Sequence, residues 1–518
     1  MPSKDKYDLS VLIKGDDIFF ELNTFNPGKS KDDKLESEVV RVEMRVARIF
    51  HKLINNLSLP DFDKSFFQKD DYKLLGEILG KIVFSSKMGQ IFLDLVFPEK
   101  KEPPECLRIY LEINNNSQLA ELPWEYTQVW PGERIARLGE QNIYLAANEK
   151  SRFQLIRRLN KLPLEPLNTD QLNVVLVISN KGNNNEDITS RDSTSILDTF
   201  QKLQTKYPNQ FNFIVLDNPE KENFTKELVN ALKKFKRESD SIPPYCIHYF
   251  GHSRLINGEG ELVFKTKTLP ATWIKDDVFA GFFDRALLSL KCNEENESGN
   301  DLQIDPPSAV LFQSCDSGKI GDLSRSKGVA VAMAKRNIPA VIGMQNEIDP
   351  TSSSAFSYVY YKSLLDGCDV AEAITAGRYY LGCKYNIQSE KDIFGNNEFG
   401  SPVLFINTLE PITLVKKQAD EDDDVSKEGL PPKKRCLNPN CNAENDVNAK
   451  FCIECGQPFR DQKVGKIVQD EGSQASARKS SVSSVNVNPV FDTDNQKAKH
   501  VKEEYKNELK PDESARKK

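Results

Sequence analysis

YCIHYFGHS at Tyr245–Ser253 and AVLFQSCDSG at Ala309–Gly318 follow one pattern, an apolar run that ends in small and polar residues. NVVLVIS at Asn173–Ser179 is a third apolar run of similar length. Short continuous apolar runs bounded by turn residues are typical of strands that are buried on both faces. The sequence therefore predicts a parallel sheet with a layer of structure on either side.

Segments with helical periodicity alternate with these strands. Further strands are predicted at Phe211–Leu216, Ala340–Gly343 and Pro402–Ile406. Helices are predicted at Ser193–Tyr207, Lys221–Lys236, Lys327–Asn337, Ser352–Leu365 and Val370–Leu381. Strands that alternate with helices form a mostly parallel sheet covered by helices on both faces. The predicted fold class is α/β.

The N-terminal part of the chain contains both strand-like runs and segments with helical periodicity. Ile18–Phe20 is strand-like, whereas Glu38–Asn55 and Asp71–Phe84 have helical periodicity. LRIYLEI at Leu107–Ile113 predicts a further strand, and Leu122–Ala147 continues with strand-like segments. We therefore expect an α+β region over residues 1–104, either part of the main domain or packed on it. The main domain is expected over residues 105–410.

The chain becomes strongly charged after the last predicted strand. Lys416–Lys434 reads KKQADEDDDVSKEGLPPKK and offers almost nothing to bury, so residues 411–435 are predicted to be a linker. Residues 436–460 form a short island that contains closely spaced cysteines. Residues 461–518 are rich in Lys, Glu, Ser and Asn, and they are predicted to be a disordered tail.

The cysteine island has the spacing of a metal site. Cys436 and Cys441 form C-x4-C, and after ten further residues Cys452 and Cys455 form C-x2-C. Two such pairs can place four thiolates tetrahedrally around Zn²⁺, and the metal would supply the folding energy that so short a segment lacks. KFCIECG at Lys450–Gly456 also resembles the knuckle of small zinc-ribbon modules. A closed shell of four thiolates predicts a structural zinc ribbon, with a role in docking proteins, and no cofactor for catalysis.

Composition excludes several classes of protein. The 518 residues carry a formal net charge of −7 without a clustered basic face, so nucleic acid is not an expected partner. Met1–Ser10 lacks the apolar core of a signal peptide, and no apolar run reaches the roughly 18 residues of a membrane span. The ten cysteines are not spaced as a secreted disulfide framework. A cytoplasmic location without membrane attachment is expected.

Reactive side chains follow two of the predicted strands. His252 comes two residues after YCIHYF, and Cys315 comes two residues after AVLFQ. Ligands of open α/β sheets bind beyond the carboxyl ends of the strands, so both residues are expected to face one crevice. An imidazole can take the proton of a thiol and pass it to a leaving amine. Backbone N–H groups of Ser253 and Cys315 are candidates to hold the oxyanion.

A simpler interpretation applies to each residue alone, because a single His or Cys at the end of a strand usually belongs to the core. His248, four residues before His252, is expected to be such a packed or supporting histidine. The remaining cysteines of the main domain are expected to be ordinary thiols: Cys106, Cys246, Cys292, Cys368 and Cys383.

The two motifs together resemble the CHAT family of caspase-like cysteine peptidases, which is grouped with caspases and separases. HYFGHS at His248–Ser253 is similar to the family's histidine motif, and LFQSCDSG at Leu311–Gly318 is similar to its cysteine motif. Further similar segments extend the resemblance over residues 105–407: LPWE at Leu122–Glu125, Gly328–Ala334, IPAVIG at Ile338–Gly343, AEAI at Ala371–Ile374 and FGSP at Phe399–Pro402. The resemblance implies a caspase-like fold with His252 as general base and Cys315 as nucleophile. Ser253 stands where glycine is common in the family.

The resemblance also implies a class of substrate. In separase-like relatives, an acidic residue in the loop after the late strand receives a basic P1 side chain. Glu347 and Asp349 are the candidates here, so cleavage of proteins after Arg or Lys is expected. Activation by a protein partner is expected as well, and the linker offers basic residues for self-cleavage. The alternative is a non-catalytic adaptor that uses a caspase-like fold and a zinc ribbon to dock partners.

Overall fold

The computed structural model describes parts of the N-terminal region, much of the main domain and two short strands after it. The described residues are 6–14, 17–25, 33–41, 69–84, 87–96, 106–113, 122–129, 143–148, 153–159, 169–179, 190–236, 242–269, 271–294, 306–320, 328–383, 397–416, 433–435 and 444–446. The predicted tail over residues 461–518 lies outside this description.

Strands and helices alternate over most of the described chain. The strands are β1 (Lys6–Lys14), β2 (Asp17–Phe25), β3 (Asp33–Arg41), β4 (Cys106–Ile113), β5 (Phe153–Arg158), β6 (Leu172–Ile178), β7 (Phe211–Asp217), β8 (Tyr245–Phe250), β9 (Ser253–Ile256), β10 (Glu259–Phe264), β11 (Thr272–Lys275), β12 (Ala309–Gln313), β13 (Ala340–Met344), β14 (Pro402–Ile406), β15 (Lys433–Arg435) and β16 (Glu444–Asp446). The helices are α1 (Lys69–Phe84), α2 (Lys87–Val96), α3 (Ser190–Lys206), α4 (Phe224–Phe235), α5 (Asp276–Glu294), α6 (Val329–Ala334), α7 (Pro350–Leu365) and α8 (Val370–Cys383).

The main sheet contains eleven described strands in the order β3-β2-β1-β4-β5-β14-β13-β12-β8-β6-β7. β7, β6, β8, β12 and β13 run parallel to one another. β14 runs antiparallel to β13 and parallel to β5, which continues in parallel to β4 and β1. The sheet is therefore mostly parallel, with two parallel blocks that meet between β13 and β14.

Apolar side chains cover both faces of the parallel block. Along β6, Val174 and Leu176 point into a cluster on one face that includes Phe200 of α3 and Phe356 of α7. Val175 points to the other face and joins a cluster built from α4, α5 and α6. Burial on both faces explains why these strands read as continuous apolar runs rather than as alternating ones. The predicted α/β class, a mostly parallel sheet covered by helices on both faces, is confirmed.

The N-terminal region differs in part from its prediction. Helical periodicity was expected over Glu38–Asn55, but residues up to Arg41 belong to β3, which pairs with β2. The remainder of that segment lies outside the described residues. Because β1 pairs in parallel with β4, the strands of the N-terminal region extend the main sheet itself. The helix predicted at Asp71–Phe84 is confirmed as α1.

Two further segments correct the sequence prediction. Trp124–Tyr126, expected to be strand-like, forms a short 3₁₀ helix whose three side chains are buried. The helix expected at Lys327–Asn337 is shorter in the structure, because α6 covers only Val329–Ala334.

A small antiparallel sheet follows the histidine loop and was not predicted. Its order is β11-β10-β9, and β9 begins directly after His252. Asn257 and Gly258 connect β9 to β10 with φ angles of 51° and 76°, which two-residue hairpins of type I′ require. The chain therefore passes from β8 of the main sheet through Gly251 and His252 directly into this small sheet.

Among the described residues, no helix combines the length and the apolar composition that crossing a membrane requires.

Candidate active site

His252 and Cys315 lie beyond the carboxyl ends of two neighbouring strands. β8 and β12 are adjacent and parallel, and their last residues, Phe250 and Gln313, are register partners. Each reactive residue comes two positions later, and both side chains are partly exposed. The N–H of Gly251 donates to the carbonyl of Gln313 over 3.4 Å, which holds the two loops together where they leave the sheet. The structure thus brings the two predicted residues to the same edge of the sheet.

Ser253 connects the histidine loop to the cysteine loop. Its side chain is 6% exposed. Its Oγ lies 2.9 Å from Oγ of Ser314 and donates a hydrogen bond to the backbone carbonyl of Cys315. The predicted role of Ser253 concerned only its backbone N–H, so this side-chain contact is a feature that sequence reasoning missed.

The backbone N–H of Ser253 is not used by the small sheet. In an antiparallel pair, hydrogen-bonded and non-hydrogen-bonded residue pairs alternate. Val263 donates to the carbonyl of His252 over 3.1 Å, so the next pair, Ser253 with Leu262, is a non-hydrogen-bonded one. The N–H of Ser253 therefore points away from β10, as an oxyanion donor would need to.

Cys315 lies in a tight turn that is anchored to β13. The N–H of Ser317 donates to the carbonyl of Ser314 over 3.4 Å, which places Cys315 and Asp316 at the two central positions of the turn. Ser317 is fully buried, and its Oγ donates to the carbonyl of Ser314 over 2.7 Å and accepts from the N–H of Met344 over 2.9 Å. Asp316 has a φ of 58° and forms a 2.8 Å ion pair with Lys319.

Two glycines allow this turn to approach β13. The N–H of Gly318 donates to the carbonyl of Met344 over 2.9 Å. A Cβ atom on Gly343 would lie 2.6 Å from the backbone nitrogen of Gly318, and a Cβ on Gly318 would lie 2.8 Å from the backbone of Gly343. The close approach of two backbones explains why both positions lack a side chain.

His248 is buried behind the site and acts as a structural residue. Its Nε2 donates to Oε1 of Gln313 over 2.7 Å, and its Nδ1 lies 3.1 Å from the hydroxyl of Tyr361. Burial lowers the pKa of His248 from 6.5 to about 3, although the hydrogen bond to Gln313 acts in the opposite direction. A neutral imidazole satisfies both partners, since one nitrogen donates and the other accepts. This geometry agrees with the expectation of a supporting histidine.

Acidification is therefore expected to destabilise the fold through His248. Between its folded pKa of about 3 and its unfolded value of 6.5, the unfolded state binds more protons, so stability falls as pH falls below 6.5. The contribution is at most about 1.4 kcal/mol per pH unit. Urea unfolding of the wild type and of His248→Gln should show a shallower decline for the variant between about pH 6 and pH 4.5. Equal slopes in the two proteins would contradict a buried neutral imidazole at this position.

Two other described thiols differ from Cys315 in their surroundings. Burial raises the pKa of Cys246 to about 12, while a backbone hydrogen bond from Ala309 opposes the shift. Burial and the nearby carboxylates of Glu372, Asp369 and Asp366 raise the pKa of Cys368 to about 11. Both groups are therefore neutral thiols near pH 7. The side chains of Cys106, Cys292 and Cys383 lie outside the description.

The two acidic candidates for a P1 pocket lie in the loop between β13 and α7, and both are exposed. Asp349 also has a structural role, because its Oδ1 accepts the N–H of Ser352 over 3.2 Å at the start of α7. Its own N–H donates to Oε1 of Glu398 over 2.8 Å. Asp349 therefore caps a helix.

A buried ionic network contacts the start of the loop between β13 and α7. The sequence did not predict this network. Glu125 is fully buried and accepts two hydrogen bonds from Arg157, at 2.9 Å and 2.6 Å. Nε2 of Gln345 donates to Glu125 over 3.1 Å and to the carbonyl of Gly400 over 2.6 Å. The sequence motif LPWE therefore has a structural basis here, since its carboxylate connects β5 to the residues that follow β13.

The four predicted zinc ligands, Cys436, Cys441, Cys452 and Cys455, lie outside the described residues. β15 ends directly before Cys436, and it pairs with β16 so that Arg435 opposes Glu444. In the sequence, the first cysteine pair comes after β15 and before β16, and the zinc site itself stays a prediction.

Comparisons with known proteins give similarities at the level of solved structures. No protein-family model and no curated protein matches this chain, so the resemblance to CHAT peptidases stays a prediction. A chain of the Saccharomyces cerevisiae separase–securin complex is 12% identical, with a TM-score of 0.38 over 79% of this chain and 30% of that chain. Caspase-1 from Spodoptera frugiperda is 16% identical, with a TM-score of 0.31 over 51% of this chain and 99% of that chain.

The Arg-specific cysteine proteinase gingipain R of Porphyromonas gingivalis is 11% identical, with a TM-score of 0.36 over 63% of this chain and 68% of that chain. The chain thus spans less than a third of the length of the separase-complex chain that it matches. All three TM-scores are below 0.5.

Proposed function

We propose that this chain is a cysteine endopeptidase that cleaves proteins through a dyad of His252 and Cys315. The observation that supports the proposal is that His252 and Cys315 each follow by two positions the register partners Phe250 and Gln313, which end two adjacent parallel strands. The hydrogen bond from Ser253 to the carbonyl of Cys315 joins the two loops at this point. A reactive site at the carboxyl edge of such a sheet is the usual place for ligands in α/β proteins.

The geometry supports a sequence of proton transfers that uses only this chain and water. His252 takes the thiol proton of Cys315, and the thiolate attacks the carbonyl carbon of the scissile peptide bond. The N–H of Ser253, directed away from β10, supports the developing oxyanion. The imidazolium then protonates the leaving amine. Water, deprotonated by the same imidazole, hydrolyses the thioester and releases the acid and the free thiol.

The proposed class of substrate is supported by the loop after β13. Glu347 is exposed in this loop, whereas Gln345 and Asn346 before it are fixed to Gly400 and Ser401. An exposed carboxylate on a fixed backbone is suited to a basic P1 side chain, so cleavage after Arg or Lys is part of the proposal. An activating protein partner and a cytoplasmic location belong to it as expectations from the sequence.

The test is covalent trapping of Cys315 by a peptide that carries an acyloxymethyl ketone and Arg at P1. We expect labelling in the full-length wild type, none in Cys315→Ala, and a rate about 30-fold lower in His252→Ala near pH 7. This factor follows because a thiol with the ordinary pKa of about 8.5 is only about 3% thiolate at that pH. Mass spectrometry of the labelled peptide identifies the residue.

Cys368→Ala is the matched control, because Cys368 is also a partly exposed thiol of the main domain. This variant should label at the wild-type rate. If Cys315 labels equally fast in the wild type and in His252→Ala, also with cell lysate present as a source of activators, the dyad is wrong. The adaptor function would then be favoured.

A further inference from the structure

We propose that the hydroxyl group of Ser253 positions the nucleophile by holding the peptide unit between Cys315 and Asp316 in one orientation. The inference rests on the proposed function and adds a role for the Ser253 side chain, beyond that of its backbone N–H. Ser253 is a positioning residue in this account, since its hydroxyl touches the loop of the nucleophile rather than the reacting atoms.

The direction of the hydrogen bonds follows from the chemistry of the three groups. A hydroxyl group has a single proton, and a backbone carbonyl can only accept. The proton of Ser253 therefore goes to the carbonyl of Cys315, and the 2.9 Å contact between the two hydroxyl oxygens is satisfied by the proton of Ser314. Ser253 is 6% exposed, so water has little access to replace this bond.

The bonded carbonyl belongs to the central peptide of the turn. Cys315 and Asp316 occupy the two central positions between Ser314 and Ser317. A positive φ at the second central residue, here 58° at Asp316, is the feature that separates a type II turn from a type I turn. The two types differ in which way the central peptide faces. A donor fixed on the carbonyl of Cys315 therefore selects one of the two.

This selection opposes an intrinsic preference of the chain. Residues with a Cβ atom disfavour positive φ, although aspartate tolerates it better than most of them. Without the donor, Asp316 would gain by returning to negative φ, and the peptide between Cys315 and Asp316 would turn over. That motion would reorient the backbone on which the thiol is carried and separate it from His252. A glycine at position 253 would leave the turn without this restraint.

The first experiment measures alkylation of Cys315 by iodoacetamide in the full-length protein, followed by mass spectrometry of the Cys315 peptide. Ser253→Ala should react about tenfold more slowly than the wild type near pH 7. Its rate-against-pH profile should move upward, towards the pKa of about 8.5 of a free thiol. Ser179→Ala is the matched control, because Ser179 is fully buried and its Oγ donates to the carbonyl of Val263 over 2.6 Å rather than to the cysteine loop.

The second experiment separates positioning from a loss of stability. Glycine adopts positive φ at no steric cost. In Asp316→Gly, residue 316 therefore no longer favours the return to negative φ that would turn over the peptide between positions 315 and 316. Ser253→Ala lowers the logarithm of the alkylation rate of Cys315. The double variant Ser253→Ala with Asp316→Gly should regain at least half of that decrease. Asp316→Gly alone should differ little from the wild type, because glycine keeps the positive φ and the partly buried ion pair with Lys319 is not a contact of the dyad.

The outcomes are distinct for the two proposals. If wild-type Cys315 reacts no faster than in His252→Ala, the dyad fails, and the role of Ser253 falls with it. If the dyad is present but Ser253→Ala reacts within about twofold of Ser179→Ala, only the positioning role is overturned. Absence of rescue by Asp316→Gly would also overturn it, since the turn would then not be what Ser253 controls.

Discussion

Arg157→Met should lower the free energy of unfolding by about 3–5 kcal/mol, because it removes one partner from a buried ion pair. Glu125 is fully buried, and Arg157 is 2% exposed. The guanidinium donates twice to Glu125 and once to the carbonyl of Leu122, over 3.1 Å. Methionine fills much of the same space, so the loss of stability reports the removal of the two hydrogen bonds and the charge that Arg157 gives to Glu125. Urea unfolding measures it.

Arg336→Met provides the matched control. Arg336 pairs with Asp284 at 3.3 Å, and both side chains are substantially exposed. Exposed pairs of this kind contribute about 0–1 kcal/mol. A loss below about 1.5 kcal/mol in Arg157→Met, similar to that of the control, would mean that Glu125 finds another partner and that the pair does not stabilise the sheet.

Gly343→Ala should reduce the rate of Cys315 labelling by about 100-fold, the scale expected when a reacting group is misplaced by about 1 Å. The new Cβ would meet the nitrogen of Gly318 at 2.6 Å and its Cα at 2.7 Å. These are backbone atoms, so the turn that carries Cys315 must move as a unit. The peptide probe that tests the dyad measures the effect, with mass spectrometry to identify the labelled residue.

Gly281→Ala is the corresponding control within α5. A Cβ at this position would meet only the end of the Arg285 side chain, at 3.5 Å. Alanine in a helix is more stable than glycine, so the fold should be unaffected or slightly more stable. Labelling of Gly343→Ala within about threefold of this control would show that the turn tolerates displacement.

The strands of the parallel block could be predicted because burial on both faces removes polar residues from the sequence. β6, β8 and β12 each read as an apolar run, and each has a neighbouring strand on both sides in the main sheet. The small sheet escaped prediction because β9 and β11 have only four residues each. Its outer face is also charged, as in the 2.7 Å pair of Arg254 with Glu261. Such strands lack the periodicity that sequence analysis detects.

The positions of the two reactive residues could also be predicted, since the ends of apolar runs mark the edge of the sheet. Their supporting contacts could not. Glu125 and Gln345 are 220 positions apart, and no local pattern connects them. Likewise, nothing in the sequence shows that the hydroxyl of Ser253 meets the carbonyl of a residue 62 positions later. Contacts of this kind depend on the tertiary arrangement of loops, which local propensity does not determine.

The position of β14 has a consequence for the order in which the protein folds during synthesis. Among the described strands of the main sheet, β14 comes last in the sequence, yet it lies between β5 and β13. Until Pro402–Ile406 leaves the ribosome, those two strands face each other with unpaired edges, which are prone to aggregate. The same late segment supplies the partners of Gln345, at Gly400, and of Asn346, at Ser401. The loop beside the candidate site is therefore completed only near the end of translation of the main domain.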